Sequence, residues 1–139
     1  MKIKYHSLWF EKNAKSFKKW FDPETYDWKE SALLAKFCSK YFDDWFNPET
    51  FYWDHSNFLA NYCSSDFKKW FDPETFDYGF CSYLAKYCTT HFMDWFNPET
   101  FDWYYNHALV DYCMRYIDIW YDSSKFEDSY DELLIESIK

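Results

Sequence analysis

Glycine is nearly absent from this 139-residue chain, which has one glycine and four prolines. Gly-rich phosphate loops, collagen-like chains and flexible linkers need many glycines, so the composition excludes them. β-Sandwiches and barrels use Gly and Pro in many tight turns, which argues against an all-β fold. Long apolar runs are also missing: none approaches the ~20 residues of a membrane-spanning helix. We therefore expect a cytoplasmic protein without a membrane segment, whose cysteines are reduced.

Aliphatic side chains are scarce and aromatic ones replace them. Ile, Leu and Val together number 14, against 9 Trp, 14 Tyr and 16 Phe. Disordered chains are poor in aromatic residues, so this composition predicts a packed core. The formal net charge is -9.

A motif recurs every 25 residues. WFDPET begins at Trp20 and Trp70, WFNPET begins at Trp45 and Trp95, and a degenerate copy, WYDSSKF, begins at Trp120. Fixed periods of this length are typical of stacked repeats. We expect a single repeat domain over 1–139, with an N-terminal cap in 1–19, repeats in 20–44, 45–69, 70–94 and 95–119, and a degenerate repeat with a capping helix in 120–139.

The WFxPETFxW pattern of residues 17–127 resembles aromatic-rich tandem repeats of roughly 25 residues in hypothetical proteins of bacteria and large viruses. No activity is attached to that pattern. The resemblance therefore implies a repeat architecture and no functional residue.

Each motif predicts the start of a helix. In the first copy, Asp22 can cap free amides, Pro23 suits the first helical position, and Glu24 favours the helix dipole. The aromatic rings of Phe21 and Tyr26 have the spacing of a hydrophobic staple. The recurring proline excludes a continuous strand.

The second half of each repeat also predicts helix. Leu34, Cys38, Phe42 and Trp45 are spaced by 4, 4 and 3 residues, which places them on one helix face. Ser39 follows the cysteine and could cap a second, shorter helix, so we expect a break there; the alternative is one helix that continues to the tryptophan. Short helices bury an aromatic face only by stacking. The predicted fold is an all-α solenoid of about five 25-residue repeats with an aromatic core.

Four of the five cysteines also keep the 25-residue period. That spacing matches no zinc motif, and stacked helices ~8–10 Å apart are too distant for a disulfide ladder. We expect buried, unpaired thiols in this ladder, and an accessible thiol at Cys81, which lies outside it. The four histidines have no repeat phase, so we expect no metal and no cofactor.

Catalysis and direct nucleic-acid binding are not expected. No carboxylate pair differs in environment from the others, and no serine has a nucleophile-elbow context, so we predict no catalytic residue and no enzyme. Residues 22–116 hold 7 basic and 16 acidic residues. Nucleic-acid affinity depends mainly on phosphate neutralisation, which this charge opposes.

The leading hypothesis is a scaffold that binds another protein. Caps and core are the same in every copy, whereas other positions change, and aromatic residues among them favour a binding surface. Neutral drift of solvent positions explains the same variation. The candidate partner-binding residues are Lys29, Glu30, Asp54, His55, Phe80, Tyr104 and Tyr105 in one set and Lys36, Asn61, Lys86 and Asp111 in the other.

An alternative hypothesis is an inhibitor of phage or viral origin that blocks a basic nucleic-acid-binding site by acidic mimicry. Five repeats at ~10 Å each would span ~50 Å, over which duplex DNA carries ~30 charges. A net charge of -9 is small beside that number.

The charge is also uneven along the chain. Residues 1–21 hold six basic residues and one acid, whereas residues 117–139 hold seven acids and two basic residues. Opposite charges at the two ends favour head-to-tail self-association, whereas a charged final helix and the overall repulsion favour a monomer.

Overall fold

The computed structural model describes residues 7–126, and its regular structure is helical throughout that range. The α-helices are α1 (Ser7–Asn13), α2 (Phe17–Trp20), α3 (Ser31–Phe37), α4 (Phe42–Trp45), α5 (Asn57–Tyr62), α6 (Phe67–Trp70), α7 (Cys81–Tyr87), α8 (Phe92–Trp95), α9 (Asn106–Tyr112) and α10 (Ile117–Trp120). The 3-10 helices are Ala14–Ser16, Trp28–Glu30, Ser39–Tyr41, Trp53–His55, Ser64–Asp66, Tyr78–Phe80, Thr89–His91, Trp103–Tyr105, Met114–Tyr116 and Ser123–Lys125.

The chain divides into two compact units, Met1–Asp77 and Tyr78–Lys139. We call α1, α3, α5, α7 and α9 the long helices and the four-residue helices between them the short helices. In the first unit α1 packs on α3 and α3 on α5; in the second unit α7 packs on α9. Equivalent helices of successive repeats thus stack within each unit, as in an α-solenoid, which confirms the predicted fold class.

The WFxPET motif forms a capped turn. The Asp22 carboxylate accepts the backbone N–H of Glu24 at 2.9 Å, and the Asp22 carbonyl accepts the N–H of Tyr26 at 3.0 Å. The predicted staple is present, with ring centroids of Phe21 and Tyr26 5.8 Å apart. The same cap recurs at Asn47, Asp72 and Asn97.

This capped turn does not continue as a helix, contrary to the prediction. The Trp28 indole N–H donates to the Pro23 carbonyl at 3.1 Å, which is the carbonyl that the Asp27 amide would use in a continuing helix. The backbone at Asp27 is extended, and a 3-10 helix starts at Trp28. The same indole bond forms from Trp53 and Trp103.

The predicted break after the cysteine is present. α3 ends at Phe37, and the Cys38 carbonyl accepts the N–H of Tyr41 at 2.9 Å and the indole N–H of Trp45 at 2.8 Å. The Ser39 side chain makes no cap: a 3-10 helix fills residues 39–41, and the short helix begins at Phe42. An indole N–H therefore replaces the cap that we expected from serine.

Aromatic rings and small aliphatic residues fill the core. Trp45 is 2% exposed, and its ring lies 5.3 Å from Phe42 and 6.3 Å from Phe51, centroid to centroid. Rings also stack between repeats: Phe17 and Tyr41 are nearly parallel at 4.9 Å. This packing confirms the predicted aromatic core.

The N-terminal segment follows the repeat more closely than its sequence indicated. Residues 7–20 have the helix order of residues 31–45, and the Trp20 indole donates to the Asn13 carbonyl at 2.8 Å. Asn13 therefore takes the place of the cysteine. The capping helix predicted near Ser129–Glu132 lies outside the described residues.

Two substitutions separate the cap from the core. Asp72→Ala removes an exposed N-cap and should lower the free energy of unfolding by about 1 kcal/mol. Trp70→Ala empties the site of a ring that is 2% exposed and should cost about 3–5 kcal/mol. Chemical denaturation measures both. Equal losses would contradict the placement of Trp70 in the core.

Candidate functional site

The candidate partner-binding residues lie on two kinds of element. Lys29, Glu30, Asp54, His55, Phe80, Tyr104 and Tyr105 lie on the 3-10 helices that precede the long helices, and Lys36, Asn61, Lys86 and Asp111 lie near the ends of α3, α5, α7 and α9. Most are exposed, whereas His55, Phe80, Tyr105 and Asn61 are half-buried. The structure thus groups them by repeat position, as the 25-residue period requires.

Carboxylate caps fix two of the 3-10 helices. The Asp27 side chain accepts the backbone N–H of Lys29 at 3.3 Å, and the Asp102 side chain accepts that of Tyr104 at 3.1 Å. These caps hold the backbone beneath the variable side chains.

Tyr104 is the most exposed large aromatic side chain among the described residues, at 81%. Its ring stands edge-on to that of Tyr105, with centroids 5.1 Å apart at 89°. The half-buried Tyr105 ring also lies 6.4 Å from His107. Tyr104 therefore presents an apolar face to solvent on a backbone that its neighbours hold in place.

Lys86 lies against two tyrosine rings of the second unit. Its ammonium is 5.1 Å from the ring centroid of Tyr87 and 5.9 Å from that of Tyr112, within cation–π range. The hydroxyl of Tyr87 and then the charge of Tyr112 raise the pKa of Lys86, so it stays cationic. In the first unit the equivalent Lys36 lies 5.2 Å from the Phe37 ring.

His55 is held among aromatic rings. Its imidazole lies 5.0 Å from Tyr52 and 6.0 Å from Phe58, and its Nδ1 atom is buried without a hydrogen-bond partner. The neighbouring carboxylate of Asp54 raises the pKa of Tyr52, chiefly through a side-chain hydrogen bond. His55 can therefore offer a partner only its Nε2 edge.

One position in each variable segment is structural. The Ser31 hydroxyl is buried; it donates to the Trp28 carbonyl and accepts the Tyr52 N–H of the next repeat at 3.0 Å. Ser56 is equally buried and accepts the Asp77 N–H at 3.2 Å. Sequence comparison of the repeats missed this role because serine, serine, cysteine and asparagine share only a short polar side chain.

The predicted accessible thiol is wrong, because Cys81 is fully buried at that same position. Its S–H donates to the Asp102 carbonyl at 3.9 Å. Burial raises the pKa of Cys81 to about 11. A cysteine outside the ladder is therefore as enclosed as those within it.

The cysteine ladder is buried and unpaired, as predicted. Cys38, Cys63, Cys88 and Cys113 are each 0% exposed, and all are free thiols. The S–H groups of Cys63 and Cys113 donate to alanine carbonyls of the preceding repeat at 3.8 and 3.5 Å. Burial raises the pKa of all four to about 12.

Two exposed apolar side chains escaped the sequence analysis. Met93 on α8 and Ile119 on α10 are 67% and 51% exposed. Fifty residues earlier these positions hold Asp43 and Lys69, which form an ion pair at 2.9 Å. The change from an ion pair to apolar residues at a 50-residue spacing was the signal in the sequence.

Residues 7–126 contain no group of three or more His, Cys, Asp or Glu side chains placed to bind a metal ion. His91 and Asp94 are the ion pair nearest to such an arrangement, with Nδ1 and Oδ2 3.7 Å apart. In the same part of the chain, no helix has the length and apolar character needed to cross a bilayer.

No protein-family model, no curated protein and no solved structure matches this chain. The function must therefore be argued from its own residues.

The buried thiols predict a specific reactivity. At pH 8 the folded protein should show no fast-reacting thiol towards Ellman's reagent, and all five cysteines should react in denaturant. Because the pKa values are raised from 9.0 to about 11–12 on folding, the unfolded chain releases protons first, and the free energy of unfolding should fall as the pH rises above 9. One rapidly labelled thiol in the folded state would contradict this arrangement.

Proposed function

We propose that this protein is a non-catalytic scaffold that binds another protein through the variable surface of its stacked repeats. The five unpaired cysteines support a reducing, cytoplasmic compartment for this role. The argument below concerns the second unit, where the aromatic candidates are concentrated.

Tyr104 carries the proposal. A tyrosine ring that is 81% exposed contributes little to the core, because most of its apolar area stays in water. The equivalent positions, Lys29, Asp54 and Gly79, are not aromatic, so the repeat fold does not require a ring there. Tyrosine is frequent at interface hot spots because it combines a large apolar area with a polar tip.

Lys86 and Tyr112 extend this surface along the long helices. Tyr112 is 44% exposed, and Lys86 lies over its ring at 5.9 Å. The contact with two rings orders the lysine before binding, which reduces the entropy lost when a partner immobilises it. A partner with exposed apolar side chains beside a carboxylate would complement this surface.

Acidic mimicry remains the second candidate because of one observation. The capped turns expose Glu24, Glu49 and Glu74 at the same position of successive repeats in the first unit. Such a row could face a basic groove. The small net charge of -9 keeps it behind the aromatic surface.

Capture with matched variants tests the proposal. The wild type, Tyr104→Ser, Lys86→Ala and the control Met93→Ser would be compared as baits in an extract of the native host. The proposed interface predicts a partner that the wild type and Met93→Ser retain and that Tyr104→Ser loses. All four baits should give the same helical circular dichroism, because the three side chains are exposed.

The salt dependence separates the two candidates. A partner retained as salt rises to about 500 mM supports the aromatic interface, whereas release at moderate salt together with a basic groove on the partner supports mimicry. A partner held equally by the wild type and Tyr104→Ser would contradict the proposed surface. A bound metal or small molecule with catalytic turnover would contradict the non-catalytic assignment.

A further inference from the structure

Positions that are core elsewhere are only half-buried at the start of the first unit. Trp9 stands 25 residues before Leu34, which is 0% exposed, and Trp20 stands 25 residues before Trp45, which is 2% exposed. Both Trp9 and Trp20 are half-buried. The first repeat therefore shows solvent two rings that the later repeats enclose.

A cavity of about 260 Å³ lies on the same helix. Its lining consists of Leu8, Trp9, Lys12 and Asn13, which we call the α1 surface, and Leu8 is 65% exposed. Leu8 and Lys12 are four residues apart and so share a helix face. The α1 surface combines an apolar cavity with a cationic edge.

Basic residues surround the α1 surface. Lys12, Lys15, Lys18 and Lys19 are all exposed, against a single acid in residues 7–21, Glu11. This charge favours an acidic occupant.

The chain itself contains a segment of complementary chemistry. Residues 117–139 hold seven acids and two lysines. Within them, residues 131–137 (DELLIES) stand 25 residues after α9, so they occupy the next long-helix position of the repeat. The two leucines of this segment, Leu133 and Leu134, supply apolar side chains between acidic ones.

Long helices of successive repeats pack on one another, as α1 does on α3 and α7 does on α9. We propose that the α1 surface binds residues 127–139 of a second copy of this chain, so that copies associate head to tail. The contact continues between molecules the packing that stacks repeats within each unit. A head-to-tail contact uses two different surfaces, and it can therefore extend beyond a dimer. This inference is independent of the variable surface proposed above.

Light scattering over a range of concentrations and salt tests the contact. The wild-type particle mass should rise with protein concentration at about 20 mM salt and fall towards the monomer value near 500 mM, as screening shortens to a few Å. Leu8→Asp should remain a monomer, whereas the control Met93→Asp, exposed on α8, should behave like the wild type. A wild type that stays monomeric at every concentration, or Leu8→Asp that associates normally, would overturn the proposal.

A mixing experiment tests the polarity. Leu8→Asp blocks the α1 surface, and Leu134→Asp blocks the acidic segment, so each variant alone should be monomeric. Their mixture retains one intact contact and should form a dimer and nothing larger. If Leu134→Asp loses helical circular dichroism, Glu132→Lys replaces it. A monomeric mixture, or association of either variant alone, would overturn the head-to-tail contact.

Discussion

The hydrogen bond from a tryptophan indole to the carbonyl seven residues earlier is the interaction on which the rest of this structure depends. Trp45, Trp70, Trp95 and Trp120 donate to Cys38, Cys63, Cys88 and Cys113 at 2.7–2.9 Å. A buried carbonyl without a donor costs about 1–3 kcal/mol, and a buried indole N–H needs an acceptor. One bond meets both needs. It ends the long helix and fixes the short helix that leads into the next turn.

This constraint explains why the chain needs few aliphatic residues and still exposes a varied surface. The rings that close the helices also fill the core: Trp70 lies 5.2 Å from Phe67 and 6.0 Å from Phe76. With the core and the helix ends fixed by these rings, the tips of the 3-10 helices, such as Asp54 and Tyr104, are free to vary. A surface for binding can change there without a change in the packing below it.

The sequence predicts the parts of this fold that are local or periodic. The cap at Asp22, its staple and the buried cysteines follow from spacing alone. The arrest of the capped turn does not, because it depends on Trp28 reaching back to Pro23 across an extended residue. The burial of Cys81 escaped prediction because its partner, Asp102, lies 21 residues away. Variation between repeats identified the exposed Tyr104, whereas the enclosure of His55 depends on neighbouring rings.

The most direct test of the indole bond removes its hydrogen and keeps the ring. Replacing the Trp70 indole by a benzothiophene of the same shape leaves the packing intact and deprives the Cys63 carbonyl of its 2.7 Å donor. Chemical denaturation should show a loss of about 1–3 kcal/mol in the free energy of unfolding. The same replacement at Trp53, whose bond to Pro48 is exposed, should cost less. An unchanged stability at position 70 would contradict this account.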